Sequence, residues 1–333
     1  MPIHHRLQTR RALLAAGCTA AAAAVWPGVA RAQADAWPSK PIRMIVNFPP
    51  GSSPDVLARA IALHLQQALD HPVVVDNRAG ASGMIGADLV AKSPADGYTL
   101  LMTAGSTITT NPFIYPKMAY DTGKDLMPVA AVARILLFLE VRPTLPARDI
   151  QEFLAYLKVN PGKLSYGSAG NATGLHLAGE MLKSQAGVFA VHVPYRGASP
   201  ALQDLLAGQI DFYFDPGIGL GQVRTGKLRM LAVAGMRRST AFPDIPTLDE
   251  AGLKGFDAGT THGIYAPANT PPAIVERLNR EINRILGLPA VRTQIETIGA
   301  EPTPMTPAQF ATVMADDSRR YGAIVREKKI QSD

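Results

Sequence analysis

The chain has 333 residues, a formal charge of +6, 47% hydrophobic and 18% charged residues, and one cysteine. Four arginines and no acid fall in residues 1–32, which leaves +2 for the remainder; so near a balance excludes the clustered basic face that a nucleic-acid partner requires. About 300 further residues exceed a single domain of roughly 100–200, so two lobes are expected.

Residues 1–32 have the layout of a secretory signal peptide. Arg6, Arg10 and Arg11 precede an alanine-rich apolar run from Ala12 to Trp26, and Ala30-Arg31-Ala32 is a small-residue cleavage motif. The paired Arg10 and Arg11 leave both the twin-arginine and the general secretory routes open. The run is shorter than the ~20 residues that span a bilayer. Cys18 follows Leu14-Ala15-Ala16-Gly17, a loose lipoprotein box, but processing there would leave the later Ala-Arg-Ala without a purpose. Cleavage after Ala32 removes the cysteine, and with it disulfides, a thiolate nucleophile and a Cys-ligated metal.

From Ile42 the chain reads as alternating strand and helix. Ile42–Phe48 is a buried strand, Leu57, Ile61, Leu65 and Leu69 follow at helical spacing, and Val73–Val75 is the next strand. A helix runs through Ile85–Ala91, and Tyr98–Met102 returns as a third strand after the Asp96-Gly97 turn. The apolar stretch Val129–Val141 reads as one strand that crosses between lobes. The pattern then restarts, with strands at Leu164–Tyr166, Val191–Val193, Ile210–Phe214 and Leu228–Val233, and helices around Leu175–Lys183 and Ala201–Leu206. His262–Ala266 is a strand placed to cross back. Ile274, Leu278, Ile282 and Ile285 form one helical stripe, Phe310–Val325 carries another, and this tail is expected to pack on the first lobe. Such alternation implies parallel pairing. The expected domains are the leader at 1–32, lobe I from 36–137 plus 257–333, and lobe II from 138–256.

In open parallel sheets, ligands bind beyond the carboxyl ends of the strands. The first turn there is Pro49-Pro50-Gly51-Ser52-Ser53-Pro54-Asp55, with glycine for a tight turn, Ser53 as a cap and Pro54 suited to a helix start. The second is Gly167-Ser168-Ala169-Gly170-Asn171-Ala172-Thr173-Gly174, hydroxyls beside glycines ahead of a helix. Two helix N-termini facing each other could hold a carboxylate without an arginine. Ser106 and Thr107 add hydroxyls after the third strand. Tyr195 could wall a pocket, and Asp215 could accept a proton or an amine or simply cap a helix.

Catalytic readings find less support. Gly167-Ser168-Ala169-Gly170 is not a nucleophile elbow, and no motif positions a histidine and an acid to serve Ser168. His64, His71, His176, His192 and His262 are too scattered for a metal signature. Gly217-Ile218-Gly219-Leu220-Gly221 lacks the dinucleotide-binding spacing. No metal and no cofactor are expected.

Pro49-Pro50-Gly51 with Asp55, Asp76-Asn77-Arg78 with Gly80, Asp96-Gly97-Tyr98, Pro161-Gly162-Lys163-Leu164, Gly167-Ser168 and His192-Val193-Pro194-Tyr195-Arg196-Gly197 occur in order. Together they resemble the Bug, or tripartite tricarboxylate transporter, receptors from about Trp37 to the C-terminus. The resemblance implies an α/β, two-lobed periplasmic-binding-protein (Venus-flytrap, type II-like) fold with a ligand cleft between lobes. It also implies a non-enzymatic monomer in the periplasm that captures a small carboxylate: a di- or tricarboxylate, an acidic amino acid or an aromatic acid. Its partners would be membrane transporter subunits or, in a signalling variant, a membrane sensor kinase. An exported hydrolase using Ser168 is the remaining alternative. The implied ligand contacts are Pro50, Gly51, Ser52, Ser53 and Asp55 from the first loop, Ser106 and Thr107, then Ser168, Ala169, Gly170 and Thr173, with Asp215 helping to select the ligand; Tyr195 is added from the pocket argument above. Ser52 stands where the family usually has glycine, Pro54 where Ser or Thr is common, and Pro216-Gly217 after Asp215 is unusual.

Overall fold

The structure, a computed structural model, describes residues 37–328 and residue 330; the leader reading of residues 1–32 lies outside the described residues. From Lys40 onward the chain is one unit. β1 (Ile42–Val46) is an apolar run, and α1 (Ser53–Leu69) buries Leu57, Ile61, Leu65 and Leu69 on one face, with Pro54 in its first turn. β2 (Val73–Asn77), a 3₁₀ turn (Ala81–Gly83), α2 (Met84–Ala91), β3 (Thr99–Thr103), α3 (Gly105–Thr109) and α4 (Asn111–Ile114) follow. β4 (Leu126–Ile135) leads into β5 (Phe138–Val141). Then come α5 (Ile150–Val159), β6 (Ser165–Ser168), α6 (Gly174–Ala186), β7 (Val191–Pro194), α7 (Ala198–Leu206), β8 (Phe212–Asp215), α8 (Leu220–Arg224) and β9 (Arg229–Val233). β10 (Thr260–Pro267), α9 (Pro272–Leu286), α10 (Pro289–Thr297), β11 (Glu301–Pro302) and α11 (Pro307–Lys328) complete the chain.

The strands form two sheets, in the orders β11-β4-β10-β3-β1-β2 and β7-β6-β8-β5-β9, so each lobe has its own sheet and core. The strand–helix repeats pair in parallel, as the alternation implies: β1 with β2 and β3, β6 with β7 and β8. The strands that connect the sheets do not. β10 runs antiparallel to β3 and β4, and β5 antiparallel to β8 and β9, so both sheets are mixed.

The expected single strand Val129–Val141 is two. Ile135 is the last residue of β4 paired to β10, through Thr260, and Phe138 is the first paired in the other sheet, to Asp215 and Val233. Leu136 and Leu137 carry the chain between ladders with their side chains buried. β10 begins opposite Ile135, so the return of the chain lies beside the outward passage.

α11 turns Phe310, Met314, Tyr321 and Val325 inward and packs on α3 and β4. Its far end also reaches the second sheet's side, where Tyr321 and Val325 meet Ala172 and Leu177.

Candidate functional site

The turns that leave β1, β3, β6, β7 and β8 converge between the two sheets on a cavity of about 30 Å³. Three helices start there. Ser53 and Pro54 open α1, Gly174 and Leu175 open α6, and Ala198 opens α7; all five residues line the cavity. Each of these helices has an N-cap residue (Ser52, Thr173, Gly197) that makes no side-chain capping hydrogen bond. An α-helix leaves its first N–H groups unpaired and carries partial positive charge at that end, so three such ends aimed at one point form a receptor for a negative group.

The cap side chains are used elsewhere. Ser52 donates to the Pro49 carbonyl at 2.7 Å and Thr173 to the Gly170 carbonyl at 2.7 Å, which tightens each loop. Ser106 also lines the cavity, from α3. β10 closes the back with Thr260 and His262. His262 Nε2 lies 3.1 Å from Ser53 Oγ, while His262 Nδ1 and Thr260 Oγ1 are buried with no protein partner. Burial pushes the His262 pKa down to about 3, so the ring is neutral. No lining side chain carries a formal charge. Two buried polar atoms, three helix N-termini and no cation describe a site that would stabilise an anion with oriented dipoles.

A larger cavity of about 580 Å³ shares the walls Phe48 and Ala169 and extends outward past Gly170, Tyr195, Tyr115 and Ser82. Arg196 is the single charged residue lining it. The two sides touch around this cavity. Ser82 Oγ donates to the Asn171 carbonyl at 2.6 Å, and Tyr115 OH reaches the same oxygen at 3.2 Å. Gly197, at φ +133, abuts the Pro49 ring closely enough that a Cβ would lie 2.6 Å from it.

The residues singled out from sequence separate into two groups. Ser52, Ser53, Ser106, Ala169 and Thr173 line the inner cavity, and Ala169, Gly170 and Tyr195 the outer one. The others stand behind them. Pro50 and Gly51 are exposed at the tip of the first loop. Asp55 faces away from the cavity: it accepts from Gly51 N, Asn77 Nδ2 and Arg59 Nε. Burial alone would raise its pKa, but the Arg59 guanidinium and the two N–H donors hold it below the ordinary value. Its charge is spent on shaping the loop. Thr107 is buried and accepts from Asn47 Nδ2 at 3.3 Å.

Ser168 Oγ donates to the Gly170 carbonyl at 3.0 Å, accepts from Gly170 N at 3.1 Å and lies 2.7 Å from His192 Nε2. The sequence gives no hint of this pair, which are 24 residues apart. His192 is stacked on His176 with 4.0 Å between ring centres, and burial, then His176 and Lys183, lowers its pKa to about 3. Ser168 is fully buried. The hydroxyl is shared between the Gly170 backbone and His192, an arrangement that braces the loop after β6. Asp215 is also behind the wall: its Oδ2 accepts from Gly217 N at 3.0 Å and Gly219 N at 2.9 Å, and Pro216, the next residue, lines the inner cavity.

Residues 57–330 match the model of the tripartite tricarboxylate transporter family receptor, TctC. The chain belongs to that receptor family. It is 40% identical over 297 residues to BugT of Bordetella pertussis, covering 88% of this chain and 91% of that one. Among solved structures it resembles a periplasmic transporter (TM-score 0.86, 38% identity, covering 90% of this chain and all of that one). It also resembles R. palustris Rpa4515 with adipate (0.86, 32%, covering 88% and 99%) and MatC from Rhodopseudomonas palustris with bound malate (0.82, 32%, covering 87% and 100%). The two-lobed solute-binding fold is therefore that of the family, and the family is one of receptors. Among the described residues of this receptor, no helix is long and apolar enough to cross a membrane, and no group of three or more His, Cys, Asp or Glu could hold a metal.

Among the lining residues that sequence reasoning did not select are His262, Thr260 and Ala198. His262 was one scattered histidine among five, and nothing local distinguishes it. Ala198 was within reach: Gly197 before a helical run marks a helix start.

Proposed function

We propose that this receptor is exported to the periplasm and captures one small carboxylate between lobe I (36–137 and 257–333) and lobe II (138–256), for delivery to the membrane subunits of a tripartite transporter, without covalent chemistry. The observation that carries the reading is the convergence of three helix N-termini without side-chain caps on one uncharged cavity. Each such terminus favours an anion by ~0.3–2 kcal/mol, and each hydrogen bond to a charged group adds ~1.5–3 kcal/mol. The inner cavity suits a carboxylate group, and the outer cavity has room for the rest of an acid the size of malate or adipate, the molecules bound by the two Rhodopseudomonas relatives.

The test is a thermal-shift comparison of the mature chain with malate, adipate and adipamide. A ligand at ~100 times its Kd adds ~2.7 kcal/mol of stability. A shift with an acid and none with the amide supports the reading. Equal shifts with adipate and adipamide, or no shift with any carboxylate, overturn it.

A further inference from the structure

Glu140 and Asp215 form a carboxyl pair sealed inside the second sheet. On β5 and β8, Phe138 stands opposite Asp215 and Glu140 opposite Tyr213, which places the two acids diagonally on one face. Both are fully buried. A Cβ on Gly219 would lie 2.8 Å from Glu140 Oε2 and 3.3 Å from Asp215 Oδ2, so the two carboxyl groups flank the same glycine.

The other titratable groups around the pair are committed elsewhere. Tyr213 donates to the Ala198 carbonyl on α7, and Asp204 on α7 accepts from Tyr195. Arg224 on α8 lies over Phe242, and Arg229 on β9 donates to the Leu145 and Ala147 carbonyls. On α6, Glu180 pairs with Lys183 and with Tyr166, beside His176. Among the described residues, no cation pairs with either acid. Two carboxylates buried together without a cation cannot both be ionised.

The hydrogen bonds decide where the proton sits. Asp215 Oδ2 accepts from two backbone N–H groups, which stabilise its anion more than its acid. Glu140 has no donor at either oxygen, and Asp215 Oδ1 has no other partner. A protonated Glu140 donating to Asp215 Oδ1 gives a partner to that oxygen and to one of the two on Glu140.

We propose that Glu140 is a positioning residue for capture: it carries the proton shared with Asp215, and through it fixes the Pro216–Gly219 turn that walls the inner cavity. The turn also bears on the opposite lobe, since Gly217, at φ +93, is so close to the Ile298 carbonyl that a Cβ would lie 1.7 Å from it. Loss of the proton sets two negative charges against each other beneath this turn, so its order and ligand capture both decline in alkaline solution. Burial, then the charge of Asp215, pushes the Glu140 carboxyl well above its ordinary range, in the same sense. The effect on capture rests on the proposed carboxylate site; the protonation of Glu140 does not.

Three measurements test this. In the infrared spectrum at neutral pH, the parent should show the C=O stretch of one protonated carboxylic acid that Glu140→Gln lacks; its absence from the parent overturns the proposal without any variant having to fold. From neutral into alkaline solution, the amide protection factors of Gly217 and Gly219 should fall in the parent and stay level in Glu140→Gln, whose amide donates to Asp215 at every pH. Asp215→Asn, which removes the anion, should also stay level. Parallel profiles in all three proteins refute the role of the proton. Adipate affinity should fall about tenfold over that range in the parent, the worth of one charge-assisted hydrogen bond, and should fall less than threefold in Glu140→Gln. A parent that never binds adipate refutes the carboxylate reading of the cleft, while the infrared and exchange results still decide the proton.

Discussion

Ser82 donates its hydroxyl to the Asn171 carbonyl at 2.6 Å, and this one contact ties the 3₁₀ turn after β2 to the loop after β6 across the mouth of the cleft. Tyr115 supports it, 2.9 Å from Ser82 Oγ. In the proposed capture, where the lobes close on the ligand, this bond belongs to the closed form. Ser82→Ala should weaken adipate binding by about two- to tenfold, the net worth of a neutral hydrogen bond, and shift the melting temperature of the ligand-free protein little. Calorimetric titration of both proteins checks this; equal affinities would show that the contact does not hold the closed form.

Thr173 precedes α6 without capping it. Thr173→Asp puts a carboxylate on the helix N-terminus, where it occupies the N–H groups proposed for the ligand and repels it. Adipate affinity should drop more than about tenfold, and since aspartate is a preferred N-cap, its capping offsets in the melting temperature the lost Thr173 bond to the Gly170 carbonyl. A variant that binds as tightly as the parent would remove α6 from the site.

Gly217 leaves no room for a side chain beside the Ile298 carbonyl and has a backbone conformation that glycine adopts readily. In Gly217→Ala the backbone must shift or the lobes must part, at a cost of about 1–3 kcal/mol. Lost adipate affinity with a near-normal melting temperature would place that cost on closure, whereas a fall of several degrees would place it on the fold.

His262 is neutral in the folded chain and titrates near its ordinary value of about 6.5 when unfolded. The unfolded state therefore takes up a proton that the folded state refuses. The resulting stability is complete above about pH 6.5 and is lost as pH falls toward 3, by about 1.4 kcal/mol per pH unit. His262→Gln, which keeps a partner for Ser53, should show a shallower decline between those limits. Denaturant titrations of the two proteins at a series of pH values measure the difference, and identical slopes would mean that the buried ring is not the group responsible.

Much of this architecture was open to sequence reading because periodicity is local. The apolar spacing of α1 and the turns after β1 and β6 stand in short, contiguous segments, and the loops they announce do line the cavity through Ser52, Ser53, Ala169 and Thr173. α5 was legible but unread: Asp149 accepts from Glu152 N at 2.9 Å, the cap that an Asp-x-x-Glu sequence advertises. Other features had no local signature. Ser53 and His262 meet from 209 residues apart, and the direction in which Asp55 and Asp215 point depends on backbone amides that folding brings to them. The family resemblance implied these acids as ligand contacts, whereas the fold sets them behind the cavity walls, bound to backbone amides.

β10 lies between β4 and β3, in the middle of its sheet. During vectorial synthesis, the second sheet can assemble as soon as residues 138–233 have emerged, but the first stays split until Thr260–Pro267 slots into its centre. Pairings so distant in sequence form slowly because a long loop must close first. The lobe that starts the chain is therefore the last to be completed, and until β10 arrives its unpaired β3 and β4 are the edges that a chaperone would need to guard.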